Sequence, residues 1–205
     1  MHRILLTLAL AATASAASAQ QHVRFGIKAG PSYTKFRGLD PAQITSASNA
    51  YRLGFHAGLM AEVKVTDKFF IQPELLYSQK GAENKLAPFI RTIFTYVDLP
   101  VMVKAKLGET GFFLEGGPQF GYLAKAASYN DDYSFDVREV YEKFDVGYAA
   151  GLGYQLSCGP LLGFRFNGGL TRLNQPIVVG NRIVTSDDMW NNAFQFYAGY
   201  LLTRK

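Results

Sequence analysis

Eight segments of the chain alternate apolar and polar side chains with a period of two, the links between them are long and short by turns, and aromatic residues collect near both ends of the segments. Together these predict an all-β fold: an eight-stranded antiparallel up-and-down transmembrane β-barrel, apolar toward lipid and polar and glycine-rich toward its lumen. The clearest unit is residues 97–122, VDLPVMVKAKLGETGFFLEGGPQFGY. In its first arm Val97, Leu99, Val101, Val103 and Ala105 share one face, and Asp98, Pro100, Met102, Lys104 and Lys106 the other. After a turn at Leu107-Gly108-Glu109-Thr110-Gly111, the residues Phe112, Leu114, Gly116, Pro118, Phe120 and Tyr122 resume the apolar face.

Composition supports a membrane setting. Of the 205 residues 48% are apolar and 14% aromatic, while the 18% that are charged are few for a water-soluble protein. Residues 1–19 open with Met1-His2-Arg3, continue through ILLTLALAATA and end Ala17-Ser18-Ala19, the layout of a cleaved secretory signal peptide, which leaves 20–205 as the barrel. That apolar run is short for a spanning helix, which takes about 20 residues, and no later stretch qualifies, so any crossing is made by strands. The net charge of +5 falls by one when Arg3 leaves with the signal, too mild an excess for nucleic acid. Cys158 is the only cysteine, which excludes an intramolecular disulfide, a zinc cluster and a lipid-anchoring cysteine after the signal.

Taken in order, the first strand is read at 23–33 (VRFGIKAGPSY) and is followed by a long loop over 34–50, where Gly, Pro, Ser and Asn break the alternation. The second strand, 51–64, sets Tyr51, Leu53, Phe55, Ala57, Leu59, Ala61 and Val63 against Arg52, Gly54, His56, Gly58, Met60, Glu62 and Lys64, and a short turn at 65–68 leads to the third, 69–80. A loop at 81–91 precedes the hairpin of the fourth strand (92–106) and the fifth (112–123). Beyond the tyrosine-rich, acidic loop 124–143 come the sixth strand (144–156), a turn at 157–160 and the seventh (161–171). A long loop to Asn192 ends in the eighth strand, marked by Phe194, Phe196, Ala198, Tyr200 and Leu202. Pro73, Pro100 and Pro118 fall inside strands and cannot donate to a ladder, so bulges or local breaks are expected there.

Links after the first, third, fifth and seventh strands are long and the others short. Outer-membrane barrels have short periplasmic turns and long external loops, which puts both termini in the periplasm. Phe25, Phe69, Phe112, Tyr154 and Tyr200 near the short turns, and Tyr33, Tyr51, Tyr77, Tyr122, Phe144 and Phe194 near the long loops, then form two interfacial girdles. A secreted soluble lipocalin-like barrel binding an apolar ligand is the alternative, and it requires the faces reversed, with Phe25, Leu59, Leu114 and Phe166 inside.

The succession FGIKAG, GFHAGLMAEV, FFIQPELLYSQKG, YVDLPVMVKAKL, GFFLEGGPQFGYL, VGYAAGLGYQL and LGFRFNGGL, over about residues 23–202, resembles the PorT-like outer-membrane β-barrel domain family of bacteria, most specifically at QPELLYSQKG, DLP and EGGPQFG. The resemblance implies an eight-stranded outer-membrane barrel with no shared catalytic motif. It also makes a component of protein secretion or transport across the outer membrane an alternative role.

An eight-stranded barrel has an interior just wide enough for side chains or one small ligand. The inward charges read near mid-height are Lys28, Glu74, Asp98, Glu115 and Arg165. Unpaired, each would be costly in a narrow lumen, so they are expected to pair across it as a structural network helped by Gln119 and Asn167, plugging the barrel. A proton-conducting path through the same groups is the functional alternative. His56 is the only histidine within a strand, and a lone lumen histidine reads as a hydrogen-bonded filler rather than a general base. Ser32, Ser78 and Asp145 lie toward one rim without a diagnostic spacing. Asp131, Asp132 and Asp136 lack the regular ligand pattern of a calcium loop. No enzyme, cofactor or metal site is therefore expected, although a lipid-modifying activity through His56 stays open as a rival. Tyr129, Tyr133, Phe135 and Tyr141 beside the charges of the third long loop suit recognition of a surface protein or glycan. The expectation is a monomeric barrel in outer-membrane lipid, structural or binding in role through its external loops.

Overall fold

The computed structural model describes residues 23–38, 49–86, 90–130, 133–175, 177–179, 182–184 and 188–202. The expected signal peptide, 1–19, and Asp131 and Asp132 lie outside the described residues. Eight long strands form the wall: β1 (Val23–Arg37), β2 (Ala50–Lys64), β3 (Phe69–Asn84), β4 (Ile90–Lys106), β5 (Phe112–Tyr129), β7 (Phe144–Gln155), β8 (Pro160–Gly169) and β11 (Trp190–Leu201). Three short strands lie in the long connections: β6 (Ser134–Asp136), β9 (Ile177–Val179) and β10 (Arg182–Val184). Each wall strand pairs antiparallel with its neighbour, and β11 returns to pair with β1, closing an eight-stranded barrel without a free edge.

The faces are those that the alternation dictates. Phe25, Ile27, Leu59, Leu75, Leu99, Leu114 and Leu162 stand on the outer wall with 47–64% of their surface exposed, whereas Lys28, Glu74, Asp98, Lys104, Glu115 and Arg165 are buried inside. Phe166 packs against Tyr148 and Phe194 rather than inside. A soluble barrel would need this arrangement inverted. Both aromatic sets also sit on the wall, with Phe112 against Tyr154 at the short-turn end and Tyr33 against Tyr51, and Tyr122 against Phe144, at the long-loop end.

The strands overrun the sequence-based bounds on the long-loop side: β1 continues to Arg37, β3 to Asn84 and β5 to Tyr129, while β4 starts at Ile90 and β11 at Trp190. Beyond the girdle an outward side chain no longer has to be apolar, so alternation fades while backbone pairing continues. β8 instead stops at Gly169, because the Leu170 and Thr171 N–H groups turn to the Val146 carbonyl and carry the chain over the mouth. The prolines make breaks and not bulges. Pairing skips from Pro73↔Val101 to Leu76↔Asp98, and from Pro100↔Gln119 to Val103↔Gly116, in unchanged register. The register shifts lie elsewhere, between Tyr51 and His56 and between Thr95 and Tyr96.

Under the long loops an apolar cluster forms inside the wall from Phe36, Ala82, Phe94, Tyr96, Leu123, Ala126, Leu173 and Met189, with Val137 and Tyr141 packed on it. The loops are tied across it. Glu142 N–H donates to Leu173 O, Leu173 N–H to Met189 O, and Gln175 N–H to Val140 O.

If lipid faces this wall, Leu75→Arg, between the two girdles, lowers folding stability in lipid vesicles by about 2–4 kcal/mol, while Val65→Arg in a short turn changes it by less than about 1 kcal/mol. Reversible urea unfolding in vesicles of defined composition reads both.

Candidate functional site

The chemistry-bearing side chains lie in the lumen, in layers that the period-two alternation builds from every second residue of each strand. The central layer is organised on Arg165 of β8. Its Nε and Nη2 donate to the two oxygens of Glu115 on β5 at 2.8 and 2.9 Å, and its Nη1 and Nη2 donate to those of Glu74 on β3 at 2.9 Å each. Since β3 and β8 are four places apart around the eight-strand ring, these bonds span the lumen. Lys28 of β1 approaches both Glu74 oxygens at 3.3 Å and lies 3.6 Å from the centre of the Tyr197 ring, whose hydroxyl donates to Glu115 at 2.8 Å. Gln72 Nε2 completes the Glu74 shell at 2.7 Å. Arg165 is 0% exposed, and Lys28 and Glu74 are each 2%.

Four of the five expected charges therefore meet, and Asp98 does not join them. It pairs with Lys80 Nζ at 3.1 Å in a layer nearer the long loops, where Lys80 also lies 3.5 Å from Asp145. Thr171 and Asn191 donate to Asp145 at 3.0 and 2.9 Å, and the Lys80 ammonium sits over the Tyr96 ring at 4.3 Å. The stagger of tilted strands causes the difference, since residues at equal counts along neighbouring strands stand at different heights. Nor do the expected helpers contribute: among the described residues both polar atoms of the Asn167 side chain are without a partner, and no bond links Gln119 to the charges.

A third layer, toward the short turns, was not singled out from the sequence. Lys104 Nζ donates to Glu62 at 2.8 Å and to Gln155 Oε1 at 2.6 Å, Arg24 also pairs with Glu62, and the Lys104 ammonium lies 4.1 Å from the Phe113 ring centre. The available signal was the inward phase of these residues, which the mid-height criterion set aside.

His56 is fully buried, its Nδ1 2.9 Å from Ser32 Oγ. Sequence reasoning did not join this serine to this histidine. Ser32, at 1% exposure, has no access for a substrate to attack. Among the described residues no group of three or more His, Cys, Asp or Glu is placed to hold a metal ion.

In the third long loop, β5 and β6 form a hairpin in which Ala127, Ser128 and Tyr129 pair with Asp136, Phe135 and Ser134. Tyr133 and Phe135 stand out from it at 67% and 57% exposure, their rings 6.4 Å apart, and Tyr129 is half-buried at its base. Tyr141, expected beside them, instead packs edge-on against Phe94 at 4.6 Å inside the mouth, where burial raises its phenol above the ordinary value. It does not stand with the exposed pair.

A closed eight-stranded wall, apolar outside, banded by aromatics and charged within, defines a bacterial outer-membrane β-barrel. The chain matches the outer membrane protein beta-barrel domain family over residues 17–175 and belongs to it. No curated protein matches the chain. Among solved structures it is similar to Neisserial surface protein A (NspA), with 12% identity over 86% of this chain and 96% of that one and a TM-score of 0.53. It is likewise similar to Ail, the attachment invasion locus protein of Yersinia pestis, with 15% identity over 88% of this chain and 99% of that one and a TM-score of 0.52. At such identities the likeness is one of fold.

Arg165→Met leaves Glu74 and Glu115 sharing only Lys28 and neutral donors, and destabilises the barrel by about 3–5 kcal/mol. Lys28→Met, which removes the longer 3.3 Å contacts, costs less. Urea unfolding of both variants in the same vesicles gives the order.

Proposed function

We propose that this chain is a monomeric, non-enzymatic outer-membrane barrel whose lumen is plugged by its own side chains and which acts through its external loops as a structural or binding element of the cell surface. The observation that carries the reading is Arg165, 0% exposed and bonded to carboxylates from two other strands across the lumen. A conducting pore would need that position hydrated. The apolar cluster beneath the long loops supports the same reading from the other side.

On this proposal residues 1–19 direct export, both termini and the short turns face the periplasm, and the β5–β6 hairpin stands outside the cell. Tyr133 and Phe135, exposed at its tip and beside it, with Tyr129 behind them, contact a surface protein or glycan. The affinity to PorT-like barrels, carried by QPELLYSQKG, DLP and EGGPQFG, belongs to the proposal as well. A role in secretion is the outcome that a conductance measurement would favour.

Purified protein in planar bilayers is expected to show no discrete conductance steps, and steady single-channel openings would replace the plug with a pore. On intact cells in a Cys158→Ser background, a membrane-impermeant maleimide is expected to label Tyr133→Cys and to spare Glu109→Cys in a short turn. Labelling in the reverse pattern inverts the topology. With the topology fixed, cells displaying the Tyr133→Ser, Phe135→Ser double variant are expected to bind immobilised glycans and proteins less than wild type, and equal binding removes the hairpin from the proposal.

A further inference from the structure

The short-turn mouth combines room with more cations than carboxylates in its walls and floor. A cavity of about 330 Å3 opens there, lined by Arg24, Lys106, Glu109, Thr110, Gln155 and Ser157 among others. That volume is at the lower end of small-molecule sites, which run from about 300 to 1,000 Å3. Arg24 and Lys106 line it, and a third cation, Lys104, lies buried behind Gln155. One buried carboxylate, Glu62, answers them, already pairing with both Arg24 and Lys104. Glu109 returns one negative charge from the exposed tip of the β4–β5 turn, in water at the rim.

Lys106 is the cation of this group without a contact ion pair. Its ammonium lies 4.4 Å from the Phe70 ring centre, and among the described residues no carboxylate stands within ion-pair distance. Lys64 on the neighbouring wall, by contrast, has Asp67 at 2.7 Å. Gln155 is fixed in a useful direction. Its Oε1 accepts from Lys104, and because an ammonium only donates, the amide end left over is the Nε2 donor. The cavity thus offers an ammonium, a guanidinium and an amide donor with too few acceptors of its own.

We propose that the short-turn mouth is a binding pocket for a small anion carrying a carboxylate or phosphate group. Lys106 supplies the direct charge contact, Arg24 and Gln155 donate beside it, and Lys104 behind Gln155 holds the floor positive. The buried Glu62 keeps Arg24 and Lys104 in place whether or not the pocket is filled. The site stands on the charge and shape of this cavity and not on a plugged lumen or on which face of the membrane it meets, so its failure and that of the function proposed above are distinguishable.

The test titrates inorganic phosphate and, separately, succinate into the full barrel in non-ionic detergent at constant ionic strength, followed by calorimetry. Saturable binding is expected, weakened about tenfold or more by Lys106→Gln, in line with loss of a charged hydrogen bond. It should be unchanged by Lys64→Gln, which removes an equal charge from outside the cavity. The tighter of the two anions identifies the phosphate or the carboxylate as the natural group. Because Lys106 holds no ion pair its variant should fold, which retention of the folded band in unheated SDS gels verifies. The proposal is overturned by absence of saturable binding of both anions, by wild-type affinity in Lys106→Gln, or by equal weakening in the two lysine variants, which would mark a diffuse charge effect.

Discussion

The Arg165 guanidinium, held between Glu74 and Glu115, is the interaction on which the interior depends. Eight strands enclose a space only as wide as the side chains that fill it, so an ion placed there is shielded from water and must find its counter-ion on another strand. Arg165 does so across the ring, from β8 to β3 and to β5, while Lys28 of β1 and Tyr197 of β11 reach the same two carboxylates. Five of the eight wall strands are thereby tied at one height. A one-residue slip of any of the four that carry a charge would turn that charge into lipid, so the layer fixes register as well as neutralising charge.

The glycine-rich inner face follows from that layer. Each buried lysine lies over an aromatic ring, Lys28 on Tyr197, Lys80 on Tyr96 and Lys104 on Phe113. The Tyr197 and Phe113 rings lie over their paired positions on the adjacent strand. A Cβ on Gly163 would collide with Tyr197 and one on Gly153 with Phe113, so these inward positions of β8 and β7 take the residue without a side chain. The wall from β1 to β4 carries most of the long charged groups, and the wall of β7 and β8 gives them space. Part of what reads in the sequence as a glycine-rich inner face is room for ring faces.

Strand number, outward faces and the short turns were legible because each rests on local chemistry: the period-two contrast against lipid, and Gly, Asp and Ser at the reversals. The grouping of Lys28, Glu74, Glu115 and Arg165 was legible for the same reason, since phase alone sends them inward. Height was not. Asp98 was placed with the central charges by counting along its strand, whereas stagger seats it beside Lys80, a residue at the limit of its expected strand. The mouth cluster was hidden more deeply. Phe36, Leu173 and Met189 come from stretches read as loops, where the outer wall is no longer in hydrocarbon and the alternation loses its contrast. Tyr141 looked exposed because its sequence neighbours are polar, and contact with Phe94, distant in sequence on β4, is what half-buries it.

The two ends of the barrel are built on opposite principles, and this limits how they can communicate. At the long-loop end, backbone bonds between connections press Leu173 and Tyr141 onto Phe94 and Leu123, an apolar closure stabilised by area removed from water. At the short-turn end the interior stays open and carries more cations than carboxylates. Between them lie the Arg165 layer and the Lys80 layer, in which every cation has a carboxylate partner. Parting Arg165 from its two carboxylates would leave buried ions without partners, at a penalty of several kcal/mol per ion. On the proposal of a plugged lumen, the pairing that holds the wall in register also separates the two mouths. On that proposal a change at one end reaches the other only through strand geometry, and the closed ladder resists it at every step around the ring.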